Sequence, residues 1–121
     1  MTKVEIYRRK LKQLEDWEPY LLKESGLPGP RGNIELARAV AEEGDEALFE
    51  SLLSFGPDKA PTNSPQEFLA FCGVLGQGTL LSHGKREALE KLRLYASDPR
   101  WRSREAVAMA LQKFGDTAMD A

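Results

Sequence analysis

The chain has 121 residues, 41% hydrophobic and 30% charged, the balance of one globular domain with a real core rather than a disordered segment. Its formal net charge of −2 excludes a global positive field that would draw it onto nucleic acid or an anionic membrane. Cys72 is the lone cysteine, which excludes an internal disulfide and fits a reducing, cytoplasmic setting.

Nothing at the start of the chain, MTKVEIYRRK, has the apolar core of a secretory signal. The longest apolar run, Phe68 to Leu75, is far too short to cross a bilayer. Over residues 3–17, Val4, Tyr7, Leu11 and Leu14 recur at helical spacing, with Lys3, Arg8, Arg9, Lys10 and Lys12 opposite. Pro19 starts a second short helix, 19–24, which Gly26 ends. Residues 26–32 form a loop, because glycine and proline dominate them.

Asn33 is placed to cap a helix through Glu43, with Ile34, Ala37, Val40 and Ala41 inward. Gly44 stops it, and Asp45 caps the next, where Ala47, Leu48, Leu52 and Phe55 align. A break at Gly56-Pro57 and a polar turn over 57–63 follow. Ser64-Pro65-Gln66-Glu67 is a capping box with proline at the first helical position. Its helix is apolar nearly all round at Phe68, Leu69, Phe71, Cys72 and Leu75, which predicts a central, buried element. Gly76 and Gly78 weaken it, and Thr79-Leu80-Leu81 extend it. A helix over 85–96 presents Leu89, Leu92, Leu94 and Tyr95.

The last predicted helix opens on Asp98-Pro99 and ends at Gly115, with Asp116 set to cap a further one. Ser103, Val107, Ala110, Leu111 and Phe114 form its inward face, mostly of small residues that admit a close neighbour. Alternating β-branched runs are absent, so the expectation is all-α. Helix starts at Asn33, Ser64 and Asp98 lie 31 and 34 residues apart, the period of stacked helix pairs.

Asp98-Pro99, Ser103-Arg104, Ala106-Val107-Ala108, Ala110-Leu111 and Gly115-Asp116 together resemble a helix of the HEAT-repeat family. The resemblance implies a short right-handed solenoid of antiparallel helix pairs, a HEAT-like α-α superhelix. Residues 1–25 would form an N-terminal helical cap and 33–121 the repeat layers, truncated at the C-terminal end. It also implies a non-enzymatic scaffold that binds another protein through exposed faces.

Two candidate sites stand out. Gly29, Arg31, Gly32 and Asn33 precede a helix N-terminus, where free N–H groups could hold an anion. The loop lacks the lysine and hydroxyl of a nucleotide loop, and a structural turn is the favoured reading. Arg8, Arg9 and Lys12 on the first helix, with Arg100, Arg102 and Arg104 around Trp101, are the candidate partner or phosphate contacts. Read as a phosphate stripe, they give the alternative function, nucleic-acid binding like that of HEAT-like DNA alkylation repair proteins. That alternative needs both groups on one face. Catalysis is not expected, because His83 is the only histidine and Cys72 sits in an apolar run that would raise its pKa. No cofactor and no metal are expected either.

Overall fold

The computed structural model describes residues 1–120. They form seven helices: α1 (Lys3–Lys12), α2 (Glu18–Lys23), α3 (Ile34–Glu43), α4 (Glu46–Leu53), α5 (Pro65–Ser82), α6 (Glu87–Tyr95) and α7 (Trp101–Asp120). No strand occurs among the described residues, so the chain is all-α. No described helix is long and apolar enough to cross a membrane.

Three caps act where the sequence places them. The side chains of Asn33, Asp45 and Ser64 accept from the N–H groups of Leu36, Leu48 and Glu67, closing the starts of α3, α4 and α5. The capping box at Ser64 is displaced by one residue. Glu67 accepts from the Asn63 N–H at 2.8 Å rather than from that of Ser64. Asn63 has a positive φ of 68°, which turns its N–H toward that carboxylate.

Three boundaries differ from expectation. The first helix ends at Lys12 rather than running to 17, and the Trp17 indole N–H donates to the Leu11 carbonyl at 2.9 Å, folding the chain back over the helix end. The last helix begins at Trp101, two residues after Pro99, because the Asp98 carboxylate takes the Arg100 N–H at 2.8 Å within the turn. At the other end Gly115 does not stop it and Asp116 opens nothing new, since α7 continues to Asp120. No neighbouring atom lies within 4 Å of where a Cβ on Gly115 would sit. Gly115→Ala is therefore expected to raise stability by about 0.5–1 kcal/mol, through the helix propensity of alanine. A higher urea midpoint is the check, and a lower one would mean that the helix is broken at Gly115.

α5 is the core. Every residue from Glu67 to Thr79 is buried, and α2, α3, α4, α6 and α7 all pack against it. The helix runs through its glycines, and they are where other helices enter. A Cβ on Gly73 would meet Leu52 and Leu53 at 3.0–3.1 Å, and one on Gly76 would lie 2.4 Å from the Phe49 ring. One on Gly78 would lie 2.7–2.9 Å from Cβ, Cα and the carbonyl oxygen of Ala110. The small-residue face of α7 thus does admit a close neighbour, and that neighbour is α5.

Contact order along the helices gives their directions. Arg102 meets Glu67 near the starts of α7 and α5, and Ala110 meets Gly78 farther along, so these two run parallel. Lys113 in the second half of α7 reaches both Thr79 of α5 and Glu42 of α3, near the C-terminal ends of those two helices. α4 and α6 are also parallel, through Glu46–Lys85, Glu50–Lys91 and the Tyr95 hydroxyl on the Leu53 carbonyl. α4 runs against α5, with Leu53 at Gly73 and Phe49 at Gly76.

Candidate functional site

A groove of about 250 Å³ opens where the 27–34 loop meets the N-terminal ends of α5 and α7. Leu27, Pro30, Arg31, Gly32 and Ile34 form the loop wall. Phe68 and Phe71 of α5 are stacked with ring centroids 6.5 Å apart and line it from below. Trp101, Arg102 and Glu105 of α7 make the opposite wall.

A buried ion pair builds this corner. Arg102 donates from Nη1 to Glu67 Oε1 at 2.9 Å and from Nη2 to the Gly29 carbonyl at 2.9 Å. Glu67 is fully buried, and the same Oε1 accepts from Asn63 N–H. The Asn63 side-chain oxygen in turn accepts from the Gly29 N–H at 3.1 Å. One loop glycine is therefore held at both its N–H and its carbonyl, by the starts of α5 and α7. The Trp101 ring lies 4.5 Å from the Arg102 guanidinium carbon, a cation–π contact that orients an indole still 44% exposed.

The second arginine is buried more deeply. Arg100 is 1% exposed and donates to both Asp98 carboxylate oxygens at 2.8–2.9 Å and to the Phe55 and Ala60 carbonyls at 2.9 and 3.2 Å. Burial alone would raise the Asp98 carboxyl, but the Arg100 hydrogen bonds and charge outweigh it and hold the group below 3.8. The Arg100 guanidinium is raised by its hydrogen bond to Asp98. Arg104 turns back to the Asp98 and Pro99 carbonyls at 2.8 and 3.1 Å.

These contacts bear on both candidate sites. Arg100 and Arg102 are each buried and committed to an internal carboxylate and to carbonyls, so neither guanidinium is displayed to a phosphate outside. In the anion loop, the Gly29 N–H goes to Asn63 and the Asn33 N–H to the Ser25 carbonyl at 2.9 Å. Asn33 itself caps α3 and donates from its amide nitrogen to the Tyr7 hydroxyl and the Glu24 carbonyl. The N–H groups a phosphate would need at these two positions are therefore engaged. Arg31 does face solvent, its side chain 66% exposed, with Glu35 3.9 Å away.

The basic residues do not come together. Arg8 and Lys12 pair with Glu43 at 2.6 and 3.7 Å, at the C-terminal end of α3, and Arg9 is exposed on α1. The groove lies at the N-terminal end of α3, about 15 Å away along a helix of that length. What the sequence does not reveal is that the 29–33 loop and the start of α7, some seventy residues apart, share one groove. Its apolar walls, Leu27, Ile34, Phe68 and Phe71, read as ordinary core positions.

Chemistry is sparse. Burial pushes the Cys72 thiol well up, away from a reactive thiolate. Among the described residues no group of three or more His, Cys, Asp or Glu side chains is placed to hold a metal. No protein-family model, no curated protein and no solved structure matches the chain.

Proposed function

We propose that this chain is a non-enzymatic, HEAT-like helical scaffold that binds another protein through the groove between the 27–34 loop and α7. The carrying observation is Trp101, a large aromatic left 44% exposed and oriented by a buried arginine beside an apolar groove. Rigid, half-exposed tryptophan is the residue type that dominates binding hot spots. The parallel α3, α5 and α7, with α4 and α6 as a second parallel row, support the repeat reading. Partners would meet residues displayed by that stack rather than a reactive pocket.

The nucleic-acid alternative loses two of its contacts to internal ion pairs, and its remaining cations are divided between distant ends of α3. One experiment separates the two readings. Displayed random peptides are selected on the immobilised chain, and a labelled DNA duplex is titrated by anisotropy at low and near-physiological salt. The expected result is enrichment of peptides whose binding Trp101→Ala weakens by about thirtyfold, the effect of losing a hot-spot aromatic. The duplex is expected to give flat anisotropy. Salt-sensitive micromolar duplex binding, or no enriched peptide, overturns the reading.

A further inference from the structure

We infer that the groove takes a segment of another protein in which one aromatic side chain is flanked by a carboxylate on one side and a basic group on the other. The inference rests on the protein-binding reading above and names the chemistry of the partner.

Size comes first. At about 250 Å³ the groove is smaller than the roughly 300–1,000 Å³ of sites that enclose a whole small molecule. It matches a single anchoring side chain entering from a longer segment. Trp101, 44% exposed, gives that anchor an aromatic wall over a floor of buried Phe68 and Phe71, which favours an aromatic partner by edge-to-face or offset contact. The walls are set before binding, since Arg102 holds Trp101 on one side and the Gly29 carbonyl on the other. Little ordering entropy is then lost when the segment docks.

Charge decides what flanks the anchor. Arg31 on the loop wall has only a long contact to Glu35, both groups facing water, which is worth little. Glu105 on the α7 wall is exposed and makes no ion pair among the described residues. The two walls thus offer a cation and an anion across an apolar floor. A polyanion would meet Glu105 and a polycation would meet Arg31, whereas a segment with opposite charges on either side of its anchor satisfies both.

The test uses two short synthetic peptides, with Glu-Phe-Lys or Lys-Phe-Glu at the centre and otherwise identical. Binding is read from the amide and indole N–H resonances of the intact chain. One order is expected to shift the Trp101 indole and the Gly32 amide saturably, and its Phe→Ala version to bind at least about tenfold more weakly. The double variant Arg31→Glu/Glu105→Lys is expected to reverse the preferred order by about threefold or more. Both positions are exposed, so the exchange leaves the core untouched. No saturable shift at those two groups, equal affinity for both orders, or an unchanged preference in the double variant would overturn the inference. If display-selected peptides bind but shift resonances elsewhere, protein binding stands, and both the groove as its site and the groove chemistry fall. If neither kind of peptide binds, both fall.

Discussion

Arg100→Ala is expected to lower the stability of the chain by about 3–5 kcal/mol, a large part of the roughly 5–15 kcal/mol that holds a domain of this size. The substitution leaves the Asp98 carboxylate, 9% exposed, without its cation and leaves the Phe55 and Ala60 carbonyls without their donor. It also empties the space of the largest fully buried side chain in the molecule. Lysine does not replace it, since an ammonium cannot span both carboxylate oxygens and two carbonyls in the geometry of the guanidinium fork. A urea midpoint lowered by about 2 M or more is the expected reading for the alanine variant. In the double variant with Asp98→Ala the loss should be smaller than the sum of the two single losses, because no unpaired charge then remains. A strictly additive pair would show that the two side chains do not act together.

The same pair gives a pH signature of definite sign. The Asp98 carboxyl in the folded state lies below its ordinary 3.8, so its contribution is complete above that value. It is lost as pH falls through the depressed value, where the folded state must take up a proton. The difference in stability between the native chain and Asp98→Asn should therefore narrow on acidification below about pH 4. A difference that stays constant to lower pH would assign the effect to packing alone.

Gly78→Ala is the second large effect, an expected loss of about 2 kcal/mol. Alanine in mid-helix is ordinarily favoured over glycine by about 1 kcal/mol. Here the added Cβ would fall 2.7–2.9 Å from the Ala110 Cβ, Cα and carbonyl oxygen. Two of those atoms are helix backbone, so no rotamer change relieves the clash and α5 and α7 must separate. That opens the row of contacts made by Ser103, Ala106 and Ala110, all buried. Restoring space with Ala110→Gly should recover part of the loss, since it removes one of the three contacts. A Gly78→Ala variant as stable as the native chain would mean that the two helices are not in such close approach. Gly115→Ala, with nothing near it, should move in the opposite direction, and the contrast isolates packing from propensity.

The glycines show how much of the fold was legible in the chain and where that stopped. Asn33, Asp45 and Ser64 cap helices as read, because a cap is a local hydrogen bond between neighbours in sequence. The all-apolar stretch after Ser64 is the buried centre, because a helix without a polar face has to be enclosed. Gly76 and Gly78 read locally as weak points and are points of contact, since their meaning depends on Phe49 and Ala110. Gly115, read as a stop, carries no such contact and lies within the helix.

Arginine shows the same division. Three guanidiniums in a turn and a half can form a phosphate stripe or pair internally, and the sequence favours internal pairing, as in a structural repeat. Arg100 and Arg102 were decided by Asp98 and Glu67, of which only the first is near in sequence.

By itself the sequence determined the helical class, the caps at Asn33, Asp45 and Ser64, and the central element. Those follow from periodicity, composition and interactions a few residues long. Tertiary structure alone decided that Gly29, Glu67 and Arg102 meet, that the Gly29 N–H goes to Asn63, and that Arg31, Trp101 and Glu105 border one groove. Each depends on how parallel helices settle against one another, and that register is set by side-chain volume across the interface rather than by any pattern along the chain.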